Sequence, residues 1–206
     1  FKIIVIYYFK MNLLKEQSKE TGYLKVILGP MFSGKTTELI KIYNSHKACD
    51  IKVCAINHSS DKRYHDNKLS THNRDMIDSI NLDKLSLISP LLHMYDVFVI
   101  NEGQFFNDLY DIVNIMVNLH KKKVYVAGLD GDFKRRKFGQ MLDIISLADD
   151  VIKLKSICIN CKKNEGIFTH RLSNEQQQVL VGNNNYTSLC RHCYNLKNSI
   201  SPQSKP

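Results

Sequence analysis

An eight-residue glycine loop between an apolar run and a helical pattern constrains this sequence more than any other feature. The apolar run is Tyr23–Leu28, and residues 29–36 after it read Gly-Pro-Met-Phe-Ser-Gly-Lys-Thr. From residue 37 to 43, apolar side chains recur at helical spacing. The loop matches G-x-x-x-x-G-K-S/T at every fixed position, and its context of strand, loop and helix predicts a phosphate cradle.

Each fixed position of this loop has a physical reason. Gly29 and Gly34 allow the sharp wrap of the chain, so that backbone N–H groups and the helix N-terminus face the anion. Lys35 is expected to reach the β- and γ-phosphates, and the Thr36 hydroxyl to ligate Mg²⁺. The sequence therefore predicts a site for a nucleoside triphosphate. Its residues are Gly29, Pro30, Met31, Phe32, Ser33, Gly34, Lys35 and Thr36.

A second buried strand is predicted at residues 95–100, and polar residues follow it. Groups at the carboxyl edge of such a strand face the ligand crevice, which makes Glu102 the candidate base. The alternative is a solvated carboxylate at the end of a strand. Further strands are predicted at 51–56, 124–129 and 150–154, and helices at 34–47 and 104–120.

Four consecutive basic residues, 134–137, follow the strand predicted at 124–129 and lie between Phe133 and Phe138. Two interpretations stay open for them. One or two of the four neutralise charge on a phosphate, or the whole run is a solvated turn.

Four of the six cysteines form two C-x2-C pairs, Cys158 with Cys161 and Cys190 with Cys193, separated by 28 residues. Such pairs supply four thiolates to Zn²⁺ in a tetrahedron, and four protein ligands leave no open position, so the metal is predicted to be structural. Disulfides or buried thiols are the alternatives, and a reducing compartment disfavours disulfides. The residues between the pairs then form a tethered loop suited to act as a lid.

The composition is that of an ordinary globular chain, and its charge is unevenly spread. Of 206 residues, 43% are hydrophobic and 24% charged, which excludes disordered and fibrous architectures. The net charge of +9 suggests a polyanionic partner. Residues 1–25 contribute +3 and residues 157–206 contribute +4, whereas 26–156 contribute only +2. A basic groove through the core is not expected, and we predict no nucleic-acid partner.

The longest apolar run, residues 1–9, does not predict a membrane segment. Lys2 interrupts it, and it is about half of the ~20 residues that a membrane span needs. It also lacks the small-residue cleavage site of a secretory signal. Residues 1–10 are either an artefact of upstream translation or an N-terminal strand. We expect a cytoplasmic protein with no membrane partner.

Taken together, the motifs resemble those of the type II thymidine kinases, the tetrameric cellular and viral group. Order and spacing agree across residues 23–195. The matching segments are the loop at 29–39, the motifs at 61–64, 71–72, 102–106 and 128–133, and both cysteine pairs. The resemblance implies an α/β fold with a P-loop NTPase-type, mostly parallel sheet, flanking helices and a small zinc-ribbon or lasso domain. We expect a leader at 1–22, the core at 23–156, the lasso domain at 157–195 and a tail at 196–206.

The resemblance implies ATP-dependent 5′-phosphorylation of thymidine and deoxyuridine, with Mg²⁺ and a structural Zn²⁺. Glu102 corresponds to the catalytic base, and Lys35, Arg63 and Arg135 to the cations on the phosphates. Feedback inhibition by dTTP and a homotetramer are implied as well. The remaining phosphate-site residues are Asp61, Lys62, Asn101 and Gln104. The implied nucleoside pocket comprises Met31, Phe105, Leu129, Phe133, Thr169, Gln178, Val179, Leu180, Val181, Gly182 and Tyr186, with Phe133 stacked on thymine.

Two positions depart from the family pattern. Asn101 stands where the family has an aspartate that organises Mg²⁺, and its neutral carbonyl oxygen is a weaker partner for a hard cation. Lys137 stands where the family has a proline. Without the proline ring, φ at this position is less restrained, so the turn that aims Arg135 and Phe138 is looser. We predict weaker Mg²⁺ affinity with activity retained.

Two other classes of protein are compatible with parts of the pattern. A P-loop ATPase could use a zinc ribbon to hold nucleic acid, but the nearly neutral middle of the chain argues against it. A nucleotide-binding subunit without activity is suggested by Asn101 alone, and the presence of Lys35, Thr36 and Glu102 argues against it.

Overall fold

A six-stranded, wholly parallel sheet forms the centre of the molecule. The computed structural model describes residues 21–60, 68–70, 76–180, 182 and 184–198. The strands are β1 Tyr23–Leu28, β2 Val53–His58, β5 Ile80–Leu82, β6 Val97–Ile100, β7 Lys123–Gly128 and β8 Asp150–Lys153. They lie side by side in the order β5-β2-β6-β7-β1-β8. A separate antiparallel hairpin is formed by β3 Lys68–Ser70 and β4 Met76–Asp78.

The strands form where the sequence carries short apolar runs, because a parallel sheet is covered on both faces. Every residue of β2 and of β6 is buried. Alternate side chains point to opposite faces, so two apolar clusters result. One contains Phe98, Phe106 and Met116, and the other contains Leu39 and Ile40 of the helix after the glycine loop.

Helices and tight turns cover the two faces. The α-helices of this part are α1 Lys35–Lys47 and α2 Leu109–Asn114, and α2 continues as a π-turn at Ile115–Leu119. Turns of 3₁₀ type lie at Leu85–Met94, Gly103–Phe105 and Asp143–Leu147.

The helix predicted at 104–120 begins later than its sequence pattern indicates, so that part of the prediction was wrong. Glu102 is in the left-handed region with φ 54°, and Gly103–Phe105 forms a single tight turn after it. Phe106 then has extended backbone angles, which cannot continue a helix. The change of direction between β6 and α2 therefore occupies the first residues of the predicted helix.

The C-terminal part is a small antiparallel unit around the four cysteines, which we call the cysteine module. It contains the pairs β9 Ser156–Ile157 with β10 Glu165–Gly166, and β11 Phe168–Arg171 with β12 Tyr186–Leu189. Helix α3, Arg191–Asn198, follows directly after Cys190. The predicted α/β class with a parallel sheet and a small cysteine-bearing unit is confirmed.

Some predicted residues lie outside the described part of the chain. They are residues 1–20, the motif at 61–64 with Asp61, Lys62 and Arg63, the motif at 71–72, Val181, and residues 199–206 of the predicted tail. Among the described residues, no helix combines the length and apolar character needed to cross a membrane. Because the strands are parallel, β1, β2, β6 and β7 all end at one edge of the sheet, and the candidate site lies there.

Candidate active site

The glycine loop leaves β1 through backbone conformations that glycine favours. Gly29 has φ 148°, and a Cβ atom there would lie 2.5 Å from the Leu154 carbonyl oxygen. Gly34 has φ 84° and immediately precedes α1. The two glycines thus allow close packing on the neighbouring strand at one end and direct entry into the helix at the other.

Polar side chains close the loop on itself. The Lys35 ammonium donates a hydrogen bond to the Pro30 carbonyl oxygen at 2.6 Å, and the Ser33 hydroxyl donates to the same oxygen at 2.8 Å. The ammonium is therefore held across the loop that is predicted to cradle phosphates. Its bond to a neutral carbonyl is weaker than the bond it forms to an anion.

A chain of three polar side chains connects the loop to the ends of β6 and β2. The Thr36 hydroxyl donates to Asn101 Oδ1 at 3.4 Å, and Asn101 Nδ2 donates to Asn57 Oδ1 at 3.0 Å. Both asparagines are only 2% exposed. The parallel register pairs Ile56 of β2 with Ile100 of β6, so Asn57 and Asn101, which follow them in sequence, lie side by side. Sequence reasoning missed Asn57, although it is a polar residue at the end of an apolar run.

Glu102 is aimed by its backbone and by one neighbouring amide. Its φ of 54° is unusual for a residue other than glycine and is maintained by the surrounding structure. Gln104 Nε2 donates to Glu102 Oε2 at 2.6 Å, while Gln104 Oε1 accepts from the Leu129 N–H at 2.9 Å. Gln104 is buried, so this amide fixes the carboxylate relative to the ends of both β6 and β7.

His58, at the end of β2, is a second residue that sequence reasoning missed. Its ring packs edge-on against Phe106, with 4.8 Å between centroids, and lies 5.4 Å from Phe105. Burial lowers the pKa of His58, although a hydrogen bond with the Asp83 backbone and nearby carboxylates oppose the shift. The His58 ring therefore supports Phe105, a predicted pocket residue that also contacts Phe138 edge-on.

The basic turn after β7 is organised by Asp132, which is 6% exposed. Asp132 Oδ1 accepts from the backbone N–H groups of Lys134 and Arg136 at 2.8 and 2.9 Å. Its other oxygen accepts from Gln178 Nε2 at 2.9 Å, which ties the turn to the predicted lasso loop. Lys137 forms an exposed ion pair with Asp143, so this member of the basic run is part of a solvated turn.

Arg135 lies against the cysteine module. Its guanidinium is 4.6 Å from the Tyr194 ring centroid and 5.4 Å from that of Phe168, and it donates to Asn195 Oδ1 at 3.2 Å. Its role at the phosphates stays a prediction. The contacts found here give it a structural part in joining the turn to α3.

Residues of the predicted nucleoside pocket lie where the core meets the cysteine module. The Met31 N–H in the glycine loop donates to Thr169 Oγ1 of β11 at 3.0 Å. The Tyr194 hydroxyl of α3 donates to the Phe133 carbonyl oxygen. Phe133 also carries a cation on its ring face, since the Arg171 guanidinium lies 3.8 Å from the ring centroid. Sequence reasoning did not single out Arg171.

The four cysteines converge on one point. The Sγ atoms of Cys158, Cys161, Cys190 and Cys193 all lie within 4.8 Å of one another, and all four thiols are free. The Cys161 and Cys190 sulfurs are 3.9 Å apart. Zn–S bonds of about 2.3 Å in a tetrahedron place sulfurs roughly 3.8 Å apart, so the cluster fits zinc, and the disulfide alternative is not supported.

Backbone donors prepare part of this cluster for metal binding. Burial raises the pKa of the Cys158 thiol, but hydrogen bonds from the backbone of Cys161, Cys190 and Asn160 outweigh it and lower the pKa to about 6. Asn160 Nδ2 also donates to the Cys193 sulfur at 3.3 Å. This bond lowers the pKa of Cys193, but burial and the three neighbouring thiols outweigh it and raise that pKa to about 11. Thiolates are the form of cysteine that binds metals, so the backbone donors favour metal binding at Cys158 in particular.

A parallel sheet with a P-loop at its carboxyl edge, the half-buried Glu102 carboxylate beside it and a four-cysteine module define a P-loop nucleotide-binding protein of the α/β class. Residues 22–194 match the Thymidine kinase family. The chain is 39% identical over 186 residues to "Thymidine kinase, cytosolic" of Cricetulus griseus, covering 90% of this chain and 78% of that relative. The chain belongs to the thymidine kinase family.

Poxvirus relatives are similar at comparable levels. "Thymidine kinase" of Monkeypox virus is 38% identical over 174 residues, covering 84% of this chain and 97% of the relative. "Thymidine kinase" of Sheeppox virus is 36% identical over 177 residues, covering 85% of this chain and 98% of the relative. The similarity therefore extends over the sheet and the cysteine module alike.

Proposed function

We propose that this protein transfers the γ-phosphoryl group of ATP to the 5′-hydroxyl of thymidine, and of deoxyuridine, as a thymidine kinase. The observation that carries the proposal is the placement of Glu102 at the same sheet edge as Lys35 and Thr36 of the glycine loop. A base and a phosphate cradle at one edge are what phosphoryl transfer to a hydroxyl requires.

The phosphate half of the reaction is assigned to the glycine loop. Its N–H groups and the start of α1 bind the phosphate oxygens, and Lys35 leaves the Pro30 carbonyl to contact them. The Thr36 hydroxyl and Asn101 Oδ1, which contact each other, are the groups that would hold Mg²⁺ or its waters. When bound, Mg²⁺ neutralises charge on the transferring phosphate. Arg63 and Arg135 are proposed as further phosphate cations.

Glu102 is proposed as the general base. The 5′-hydroxyl oxygen attacks the γ-phosphorus, the bond from phosphorus to the ADP oxygen breaks, and the hydroxyl proton passes to the Glu102 carboxylate. Gln104 supports this role because its bond to Oε2 orients the carboxylate. Most of the remaining rate enhancement comes from positioning and from stabilisation of charge.

The nucleoside half is assigned to the junction of core and cysteine module. Phe133 stacks on the pyrimidine, and Phe105 and Tyr186 close the pocket beside it. Backbone groups of residues 178–182 bind the edge of the base, while Met31, Leu129 and Thr169 surround the thymine methyl. The bond from Met31 N–H to Thr169 supports this arrangement, since it joins the phosphate loop to the base side of the pocket.

Assembly and regulation are proposed on the family resemblance. We expect a homotetramer, which light scattering would report as about four times the 23.8 kDa chain mass. We also expect dTTP to inhibit in competition with the substrates, and a cytoplasmic location.

The activity is tested by incubation with Mg²⁺, ATP and a panel of nucleosides, followed by chromatography of the products. The expected products are dTMP from thymidine and dUMP from deoxyuridine, each matched by one ADP. A parallel assay of ATP hydrolysis with and without DNA tests the nucleic-acid alternative. Absence of monophosphate from both nucleosides would refute the kinase assignment, and hydrolysis stimulated by DNA would support the other class.

A further inference from the structure

Arg171 lies at the base of the loop that joins β11 to β12. The register of the two strands pairs Arg171 with Tyr186, and the Leu172 N–H donates to the Asn185 carbonyl oxygen at 2.9 Å. Residues 172–180, which we call the lasso segment, follow Arg171 directly and contain no helix or strand. Their backbone groups must therefore find partners outside a regular ladder.

The Arg171 guanidinium supplies several of those partners. It donates to the carbonyl oxygens of Glu175 at 2.9 Å, Gln177, and Gln178 at 3.1 Å. It also donates to the Tyr186 hydroxyl at 2.5 Å, and that hydroxyl donates to the Leu180 carbonyl oxygen at 3.1 Å. Arg171 and its cross-strand neighbour Tyr186 thus bind four carbonyl oxygens of the lasso segment, three through the guanidinium and one through the hydroxyl.

The same guanidinium contacts the core of the protein. Its carbon lies 3.8 Å from the Phe133 ring centroid, a distance at which the cation covers one face of the ring. The Lys134 ammonium lies over the same ring at 5.3 Å, so a base that stacks on Phe133 must use the part of the ring that the two cations leave open. Arg171 joins the two parts of the proposed pocket, the stacking ring and the lasso segment.

The burial of Arg171 indicates why arginine in particular occupies this position. The residue is 4% exposed, and its hydrogen-bond partners among the described residues are neutral oxygen atoms. The exposed Glu175 carboxylate attracts this charge, but burying a cation whose hydrogen-bond acceptors are neutral remains costly. A planar fork of N–H groups binds several carbonyls while stacking on an aromatic ring, which the point charge of lysine cannot do.

We propose that Arg171 is the positioning residue for nucleoside recognition, holding the lasso segment and Phe133 in the arrangement that binds the pyrimidine. The proposal rests on the proposed kinase function, which it deepens. Arg171 acts through the backbone of the lasso segment and the Phe133 ring. Its loss is expected to weaken nucleoside binding while leaving the glycine loop able to bind ATP.

The test compares Arg171→Lys and Arg171→Ala with the unaltered protein. We expect each variant to raise KM for thymidine about tenfold or more, equal to about 1.4 kcal/mol, with KM for ATP changed less than about twofold. Limited proteolysis without nucleoside is the second measurement, and we expect faster cleavage within residues 172–180. Lysine should not rescue either property, because it retains the charge but lacks the fork.

Arg191→Ala is the matched control, since Arg191 is an exposed arginine of the cysteine module that lies over the Phe168 ring. It should leave both KM values and the cleavage pattern unchanged. Equal increases in both KM values, or an unchanged thymidine KM in Arg171→Lys, would overturn the proposal. If the unaltered protein makes no dTMP, the kinase function fails, while the proteolysis of the variants still reports whether Arg171 holds the lasso segment.

Discussion

At the scale of single residues, the candidate base Glu102 depends on a backbone conformation that could not be predicted from the sequence. Glu102 has a positive φ, and Gln104 binds its carboxylate while also binding the start of the segment after β7. Strain of this kind persists when surrounding contacts maintain it, and it is found at functional sites. The residue type was predictable from its place after an apolar run, whereas its orientation follows from Gln104.

The role of Glu102 leads to a direct kinetic prediction. Glu102→Gln should lower kcat roughly 10²- to 10⁴-fold, because the amide cannot accept the hydroxyl proton, while KM for ATP stays nearly constant. Steady-state kinetics with thymidine measure both parameters. Glu165→Gln removes a carboxylate from an exposed ion pair with Lys155 and serves as the control. A kcat within about threefold of the unaltered value would contradict the assignment of the base.

Asn101 gives a second prediction at this scale. Asn101→Asp should lower the Mg²⁺ concentration needed for half-maximal activity, because a carboxylate binds a hard cation more strongly than an amide oxygen does. The structure adds that Asn57 orients the Asn101 amide, with Oδ1 toward Thr36. Asn57→Ala should therefore raise the Mg²⁺ midpoint.

Mg²⁺ titrations at saturating ATP and thymidine measure these changes. Asn118→Ala is a suitable control. Asn118 is an exposed asparagine in the π-turn, and its amide donates to the Asn114 side chain at the end of α2, away from the Mg²⁺ site. Midpoints that are the same for the unaltered protein and for Asn101→Asp would refute the role given to Asn101.

At the scale of elements, the cysteine module contacts the core through α3 and the turn after β7. The Tyr194 N–H donates to the Cys190 carbonyl, and the Tyr194 hydroxyl donates to the carbonyl of Phe133. Arg135 packs on the Tyr194 ring as well. A single aromatic residue thus connects the four-cysteine cluster to the ring proposed to stack on the base.

Removal of the metal should therefore act on the nucleoside side of the site. Chelation is expected to lower the thermal midpoint, because four ligands lose a common partner, and to raise KM for thymidine more than KM for ATP. Tyr194→Phe should retain the metal and raise KM for thymidine by a few fold, since one hydrogen bond contributes about 1 kcal/mol.

Metal content by elemental analysis, thermal unfolding and both KM values provide the measurements. Tyr110→Phe removes a hydroxyl from a residue packed on the core of the sheet and controls for the substitution itself. Equal KM changes for ATP and thymidine after chelation would show that the module does not act preferentially on the nucleoside side.

At the scale of the whole molecule, the distribution of charge bears on which anion the protein binds. The described lysines at 137, 153 and 155 form ion pairs with Asp143, Asp130 and Glu165. Residues 26–156 contribute only +2 to the net charge of +9. A core of this kind has local positive charge that can bind a triphosphate, but it lacks the excess of basic residues that a continuous nucleic-acid-binding surface needs.

We therefore expect DNA to leave the kinase rate unchanged within about twofold at low salt, since polyanion binding depends on released counterions. The measurement is dTMP formation with increasing double- or single-stranded DNA at two salt concentrations. Stimulation, or inhibition that disappears with added salt, would show a nucleic-acid surface outside the core.

Much of the architecture follows from local patterns. The strands at 23–28 and 97–100 lie within apolar runs, and α1 begins directly after Gly34 of the glycine loop, close to the predicted start at residue 34. The late start of α2 was not predictable from spacing, because the turn at Gly103–Phe105 depends on contacts of Gln104 with residues far along the chain. Long-range bonds override local helical preference at that point.

By itself, the sequence determined the class of site. The glycine loop needs only its own residues and the adjoining helix to form, and the cysteine spacing predicts a metal-binding cluster without reference to the rest of the chain. Only the tertiary structure decided how the parts act on one another. Asn57 meets Asn101, and Arg171 meets Phe133, across long stretches of sequence. Such contacts depend on sheet order and loop closure, which no local pattern encodes.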